Sequence, residues 1–251
     1  MIIDKPNENQ ILPLRELWKE AFGDTDAFLD RFFSTAFSYN RCRCVTENGR
    51  LVSALYWFDC DYQGEKIAYF YAIATAKAHR GKGLCQALIK DTHEHLRSLG
   101  YAGAILCPAS DKLFDFYEKL GYRNCTFISE FTCIALGEAT DLKEISSQKY
   151  ADLRRKYLPS GSVIQENESI AFLNTYSRFY SGDDFLLCAR EENTSLFGVE
   201  LLGNTSSAPK ILSALGFQGG TFRTLGNDKP FTMIYPFKMI VMPKYFGHAF
   251  D

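Results

Sequence analysis

The sequence predicts an α/β protein in which helices flank a mixed, mostly antiparallel sheet, followed by a smaller α+β domain. Three observations predict it. Strand-forming runs meet at two turn dipeptides, Asn48-Gly49 and Gln63-Gly64. A nearly continuous apolar run, Ala68-Tyr69-Phe70-Tyr71-Ala72-Ile73-Ala74, suits a central strand covered on both faces. A helical apolar stripe begins soon after that run, with a glycine-rich turn between them.

Residues 8–37 read as two short helices broken at Gly23-Asp24. Leu14, Leu17, Trp18 and Phe22 make one apolar stripe, and Phe28, Leu29, Phe32, Phe33 and Phe37 make the other. Residues 43–46 and 51–62 form a hairpin about Asn48-Gly49, and 67–75 is the next strand. A helix over 84–99 carries Leu84, Leu88, Leu96 and Leu99 on one side and ends at Gly100, with His93 and His95 on its exposed side. Residues 102–107 are a short buried strand, and Ser110 is the N-cap of a helix that ends at Leu120-Gly121. Residues 127–136 return to the sheet.

Charged and small residues over 137–148 mark a boundary, giving domains at 1–137 and 148–251. The second has helices at 149–157 and 170–180, strands at 185–190 and 196–202, a short helix at 209–215 and strand-like stretches after Gly216. Lys210-Ile211-Leu212-Ser213-Ala214-Leu215-Gly216-Phe217 faintly echoes residues 114–122, as in a degenerate internal repeat.

With 28 basic and 30 acidic residues the net charge is −2, so no overall field gathers nucleic acid or an anionic membrane. The eight cysteines lie scattered among apolar residues and read as reduced thiols, which implies a cytoplasmic protein. Cys42-Arg43-Cys44 lacks the spacing and the second ligand pair of a zinc site, so no metal is expected. No signal or membrane-spanning segment is read from the chain.

The chemistry concentrates at Arg80-Gly81-Lys82-Gly83-Leu84-Cys85, between a strand and a helix. Successive amides at a helix N-terminus favour an anion, and glycines let a phosphate approach the backbone. The spacing fits neither a Walker loop nor a dinucleotide fingerprint. On this loop, and on the order of elements over about residues 14–136, the sequence resembles the GCN5-related N-acetyltransferases. The family's Gln/Arg-x-x-Gly-x-Gly/Ala loop matches 80–85, with Cys85 in the last small position.

The resemblance implies acetyl-CoA as acyl donor, lying in a splayed opening between the fourth and fifth strands. It implies that pantetheine pairs with Ile73, Ala74 and Thr75, that the pyrophosphate sits on Arg80, Gly81, Lys82, Gly83, Leu84 and Cys85, and that Ser110 replaces the family's asparagine. It also implies that Tyr117 is the general acid for the departing thiolate, while a buried core tyrosine is the plain alternative. The acceptor is an amine on a small molecule or peptide. No Glu or His lies within 69–75 to serve as base, which leaves a water chain or a residue from elsewhere. Asp59, Asp61 and Glu65 are candidates, and a looser likeness to aminoglycoside acetyltransferases of the enhanced-intracellular-survival type adds the carboxylate of Asp251. The same features also fit a protein that binds acyl-CoA without turnover, or an assembly module with an incidental basic turn.

Overall fold

The computed structural model describes residues 1–250. Its elements, in chain order, are β1 (Ile2–Asp4), α1 (Ile11–Phe22), α2 (Asp26–Thr35), β2 (Cys42–Glu47), β3 (Arg50–Tyr62), β4 (Glu65–Thr75), α3 (Leu84–Ser98), β5 (Gly103–Leu106) and α4 (Asp111–Lys119). There follow β6 (Arg123–Ile134), β7 (Lys143–Ile145), α5 (Ser147–Tyr157), β8 (Ile164–Gln165), α6 (Glu168–Leu173), β9 (Arg178–Ser181), β10 (Phe185–Glu192), β11 (Ser195–Gly203), α7 (Ala208–Leu215), β12 (Gly219–Leu225) and β13 (Lys229–Pro236). The fold class is the expected one, a large and mostly antiparallel sheet with helices packed against it. Two compact units divide the chain, Met1–Arg123 with Met233–Val241, and Asn124–Thr232 with Met242–Asp251. The parting at Arg123/Asn124 differs from the boundary read at 137–148, where β7 lies instead.

In the first unit the strands run β1, β2, β3, β4, β5, then residues 233–236 of β13. The turns at Asn48-Gly49 and Gln63-Gly64 form because both residues of each pair adopt positive φ. Alternation along β3 and β4 gives the sheet two apolar faces. Tyr56 and Tyr71 meet Trp18 of α1 at ring distances of 5.1 and 5.5 Å, and Phe32 of α2 lies 4.7 Å from Trp18. On the other face Leu55, Trp57, Ala68 and Phe70 pack with Leu84, Leu88 and Leu96 of α3. Helix α1 stops at Gly23, whose left-handed φ of 77° lets its N–H reach Lys19 O.

In the second unit the order is β6, β12, β11, β10, β9, β7, over a core of Phe185, Leu187, Leu201, Ile211, Leu212 and Phe222. At its centre lies a buried polar hub. Arg154 donates from Nε and Nη2 to the two oxygens of Glu200 at 2.7 and 2.9 Å. Tyr150 and Tyr245 donate to the same carboxylate at 2.7 and 3.0 Å, and His248 Nε2 lies 3.0 Å from it. The helix read over 170–180 ends at Leu173, because Thr175 turns its hydroxyl to Phe172 O and the chain then pairs with β10 as β9.

The two units share an order of elements, in a register other than the sequence echo. Each unit contains an antiparallel hairpin with a one-residue bulge, a short 3₁₀ turn, a helix and a strand parallel to the second hairpin strand: β3, β4, α3, β5 in one and β10, β11, α7, β12 in the other. Helix α7 thus matches α3, whereas the echo aligned it with α4.

Candidate functional site

The site is built on the far half of β4. Parallel pairing with β5 runs from Ile67↔Gly103 to Phe70↔Leu106 and ends there, since the chain leaves the sheet at Cys107-Pro108 and proline has no N–H to continue a ladder. On the β3 side, Tyr56 pairs with Tyr71 and Ala54 with Ala74, so Ala72 and Ile73 together oppose Leu55 alone. Ala72 takes φ 48° to make this bulge, which bends the strand where pairing with β5 stops. Ala76 N–H bonds Val52 O at 2.9 Å, so by alternation Thr75 and Ile73 turn their peptide groups away from β3, toward the open edge.

That edge leads straight into the glycine-rich loop. After a 3₁₀ turn at Lys77–His79, Gly81 and Gly83 adopt φ of 75° and 77°, and Gly83 is the N-cap of α3. Gly83 offers no side-chain cap, which leaves the first-turn amides of the helix to an external acceptor. A Cβ built at Gly81 or Gly83 would meet nothing within 4 Å, so the loop presents bare backbone to open space. Arg80 and Lys82 are exposed, and Arg80 spends Nε on Thr75 O at 3.0 Å while its terminal nitrogens stay at the surface. The Leu84 side chain is in the core.

Tyr117 of α4 is buried in the same core, its ring 5.7 Å from that of Tyr122. Burial, with Cys85 adding to it, holds its phenol well above the ordinary value, so the group stays protonated. The Cys85 thiol is likewise pushed up to about 11 by burial. Ser110 is exposed at the N-cap position of α4 and makes no side-chain capping bond there; its carbonyl accepts Leu113 N–H instead. Asp251 lies outside the described residues. These placements bring 73–75 and 80–85 together as strand end, loop and helix start, with Tyr117 and Cys85 packed in one apolar cluster.

The profile of the acetyltransferase (GNAT) domain family matches residues 3–125. Residues 3–125 are a GNAT domain. A search of the curated proteins gave no match. Among solved structures, the chain is similar to a GCN5-related N-acetyltransferase from Kribbella flavida at 16% identity and TM-score 0.70, covering 93% of this chain and 70% of that one. A probable N-acyltransferase from Enterococcus faecalis has 18% identity and TM-score 0.70, covering 94% and 72%. Eis1 from Mycobacterium abscessus has 12% identity and TM-score 0.67, covering 94% and 74%. At these identities the likeness is one of fold.

Within the GNAT domain the acidic residues considered as bases are engaged elsewhere. Asp59 accepts the Tyr101 hydroxyl at 2.5 Å, Asp61 accepts Gly64 N–H at 3.3 Å, and Glu65 pairs with Lys238 at 2.7 Å. All three cluster at the Gln63-Gly64 turn, the opposite end of the hairpin from Thr75. His93 corrects the sequence reading: it is 5% exposed, its Nε2 lies 2.8 Å from Tyr122 Oη, and its ring stacks on Phe70. The signal was present, since His93 stands four residues after Ile89 on the buried stripe of α3. The bulge at Ala72 had no such signal. Two of the residues that position the site, Ser53 and Glu20, were also missed. Ser53 Oγ donates to Ala74 O at 2.6 Å and lies 2.8 Å from Thr75 Oγ1, fixing the strand end.

Proposed function

We propose that the chain moves an acetyl group from acetyl-CoA to a primary amine by direct attack in a ternary complex, in the reducing environment of the cytoplasm. The observation that carries the proposal is the open edge of β4 leading through one 3₁₀ turn into the bare Gly81–Gly83 loop. In this reading Ile73 and Thr75 offer peptide groups to the extended pantetheine arm, with Ala74 lining it between them, as a partial replacement for the strand pairing that β5 does not supply. Arg80, Gly81, Lys82 and Gly83, with the amides of Leu84 and Cys85, hold the pyrophosphate, and Ser110 faces the cofactor from the start of α4. Acetyl-CoA supplies the activated acyl group. The bulge at Ala72 supports a role for nearby amides in receiving negative charge on the thioester oxygen.

Tyr117 is the proton donor to the departing sulfur. Its raised pKa keeps the proton in place at neutral pH, so the phenol acts by donating a hydrogen bond, and then the proton, as charge builds on sulfur. The eight cysteines, scattered among apolar residues without the spacing of a disulfide framework, support a reducing compartment. Among the described residues no helix is long and apolar enough to cross a membrane, and no group of His, Cys, Asp and Glu is set to hold a metal ion.

The test is release of free thiol from acetyl-CoA against a panel of primary amines, with the product identified by mass. Wild type should release thiol and acetylate at least one amine, and Tyr117→Phe should lower kcat by about 10²–10⁴-fold with KM for acetyl-CoA unchanged. Tight CoA binding with no thiol release across the panel would instead identify an acyl-CoA-binding protein.

A further inference from the structure

The loop that takes the pyrophosphate has no packing of its own. Gly81 and Gly83 face open space, and Arg80 and Lys82 are exposed, so hydrogen bonds at its base must set its position. Several are made within the hairpin and loop: Ser53 Oγ to Ala74 O, Ala76 N–H to Val52 O, and Arg80 Nε to Thr75 O. One comes from a different element. Glu20, in the last turn of α1, accepts Lys77 N–H on Oε1 at 2.7 Å across 57 residues of sequence. Ala76, the N-cap of the Lys77–His79 turn, has no side-chain oxygen for that amide, so Glu20 caps the turn from outside. Helix α1 is itself fixed by Leu14, Leu17 and Trp18, which are 0%, 5% and 2% exposed. The bond therefore ties an unsupported loop to the core.

We propose that Glu20 is a positioning residue for acyl-CoA binding: through the Lys77 amide it holds the Arg80–Gly83 loop in its receptive shape. The proposal rests on reading that loop as the pyrophosphate site. The sign of the effect separates a tether from plain electrostatics. A carboxylate near a pyrophosphate repels it, so on charge alone removing Glu20 tightens binding. As a tether, its removal weakens binding, and an uncharged acceptor in its place loses the repulsion while keeping the bond.

The experiment is calorimetric titration of coenzyme A into wild type, Glu20→Ala and Glu20→Gln, with steady-state kinetics in acetyl-CoA. Glu20→Ala should bind CoA about threefold to tenfold more weakly and raise KM with kcat unchanged, and Glu20→Gln should bind at least as tightly as wild type. An alanine variant that binds as well as wild type, or a glutamine variant as weak as alanine, overturns the proposal. Amide hydrogen exchange over Lys77–Arg80 without CoA reads the tether by itself. It should be faster in Glu20→Ala than in wild type and near wild type in Glu20→Gln, and equal rates in all three overturn the tether. If wild type fails to bind CoA while that exchange pattern holds, the assignment of the loop fails and the tether stands.

Discussion

At the scale of single residues, two buried groups make the protein sensitive to acid. Burial, with Arg97 adding to it, holds the His93 imidazole down at about 3, against an ordinary 6.5. As pH falls the unfolded chain takes up this proton first, so the stability His93 carries is complete above about pH 6.5 and is lost progressively toward pH 3. The slope is at most about 1.4 kcal/mol per pH unit. Urea unfolding at about pH 7 and about pH 4.5 should show wild type losing more stability than His93→Gln, which cannot titrate; equal losses would contradict the assignment. Glu200 behaves in the same direction for a different reason. Burial alone would push its carboxyl up, but the guanidinium of Arg154, bonded to both oxygens, outweighs this and holds it well below the usual carboxylate range. Arg154→Met should therefore cost about 3–5 kcal/mol in urea unfolding, because it strands a buried charge, and Arg154→Met with Glu200→Leu should recover part of that loss.

At the scale of elements, the loop between β4 and α3 can be tested apart from the fold. Gly83 has φ 77° and open space where a Cβ would stand, so Gly83→Ala should cost the fold only the backbone strain, about 1–2 kcal/mol. Its CoA affinity should fall further, by about tenfold or more, as amides bonded to a charged ligand are displaced; thermal unfolding and CoA titration of one preparation compare the two effects. This loop was legible in the sequence because glycine at left-handed positions and an apolar helical stripe are local signals. The hairpins were legible for the same reason at Asn48-Gly49 and Gln63-Gly64. What was not legible depends on distant partners. Where β4 parts from β5 is set by Pro108 and α4 drawing the chain away, and nothing in Tyr71-Ala72-Ile73 marks a bulge. Likewise, the pairing of residues 233–236 with β5 joins segments more than a hundred residues apart. His93 was misread because its type suggests surface, although its position on α3 is that of a core residue.

At the scale of the whole molecule, the same series of elements occurs in both units, and in the first the second hairpin strand has an open end. In the first unit the bulge at Ala72 is followed by strand that is unpaired on the β5 side, a bare glycine turn and the fifteen-residue helix α3. In the second, the corresponding bulge falls between Cys188 and Ala189, and β11 pairs with β12 again beyond it, at Leu201↔Thr224, where the Thr224 hydroxyl donates to Leu201 O at 2.8 Å. Glu200, beside that bulge, is committed to the Arg154 hub, and the turn before α7 reads Asn204-Thr205-Ser206-Ser207 with no basic residue. The second unit thus shares the order of elements without the open strand end. The measurement that tests this most directly is the stoichiometry of CoA binding by calorimetry on the full chain. One site per chain is expected, abolished or greatly weakened by Gly83→Ala; two sites, none, or one site indifferent to Gly83→Ala would contradict the assignment of the loop.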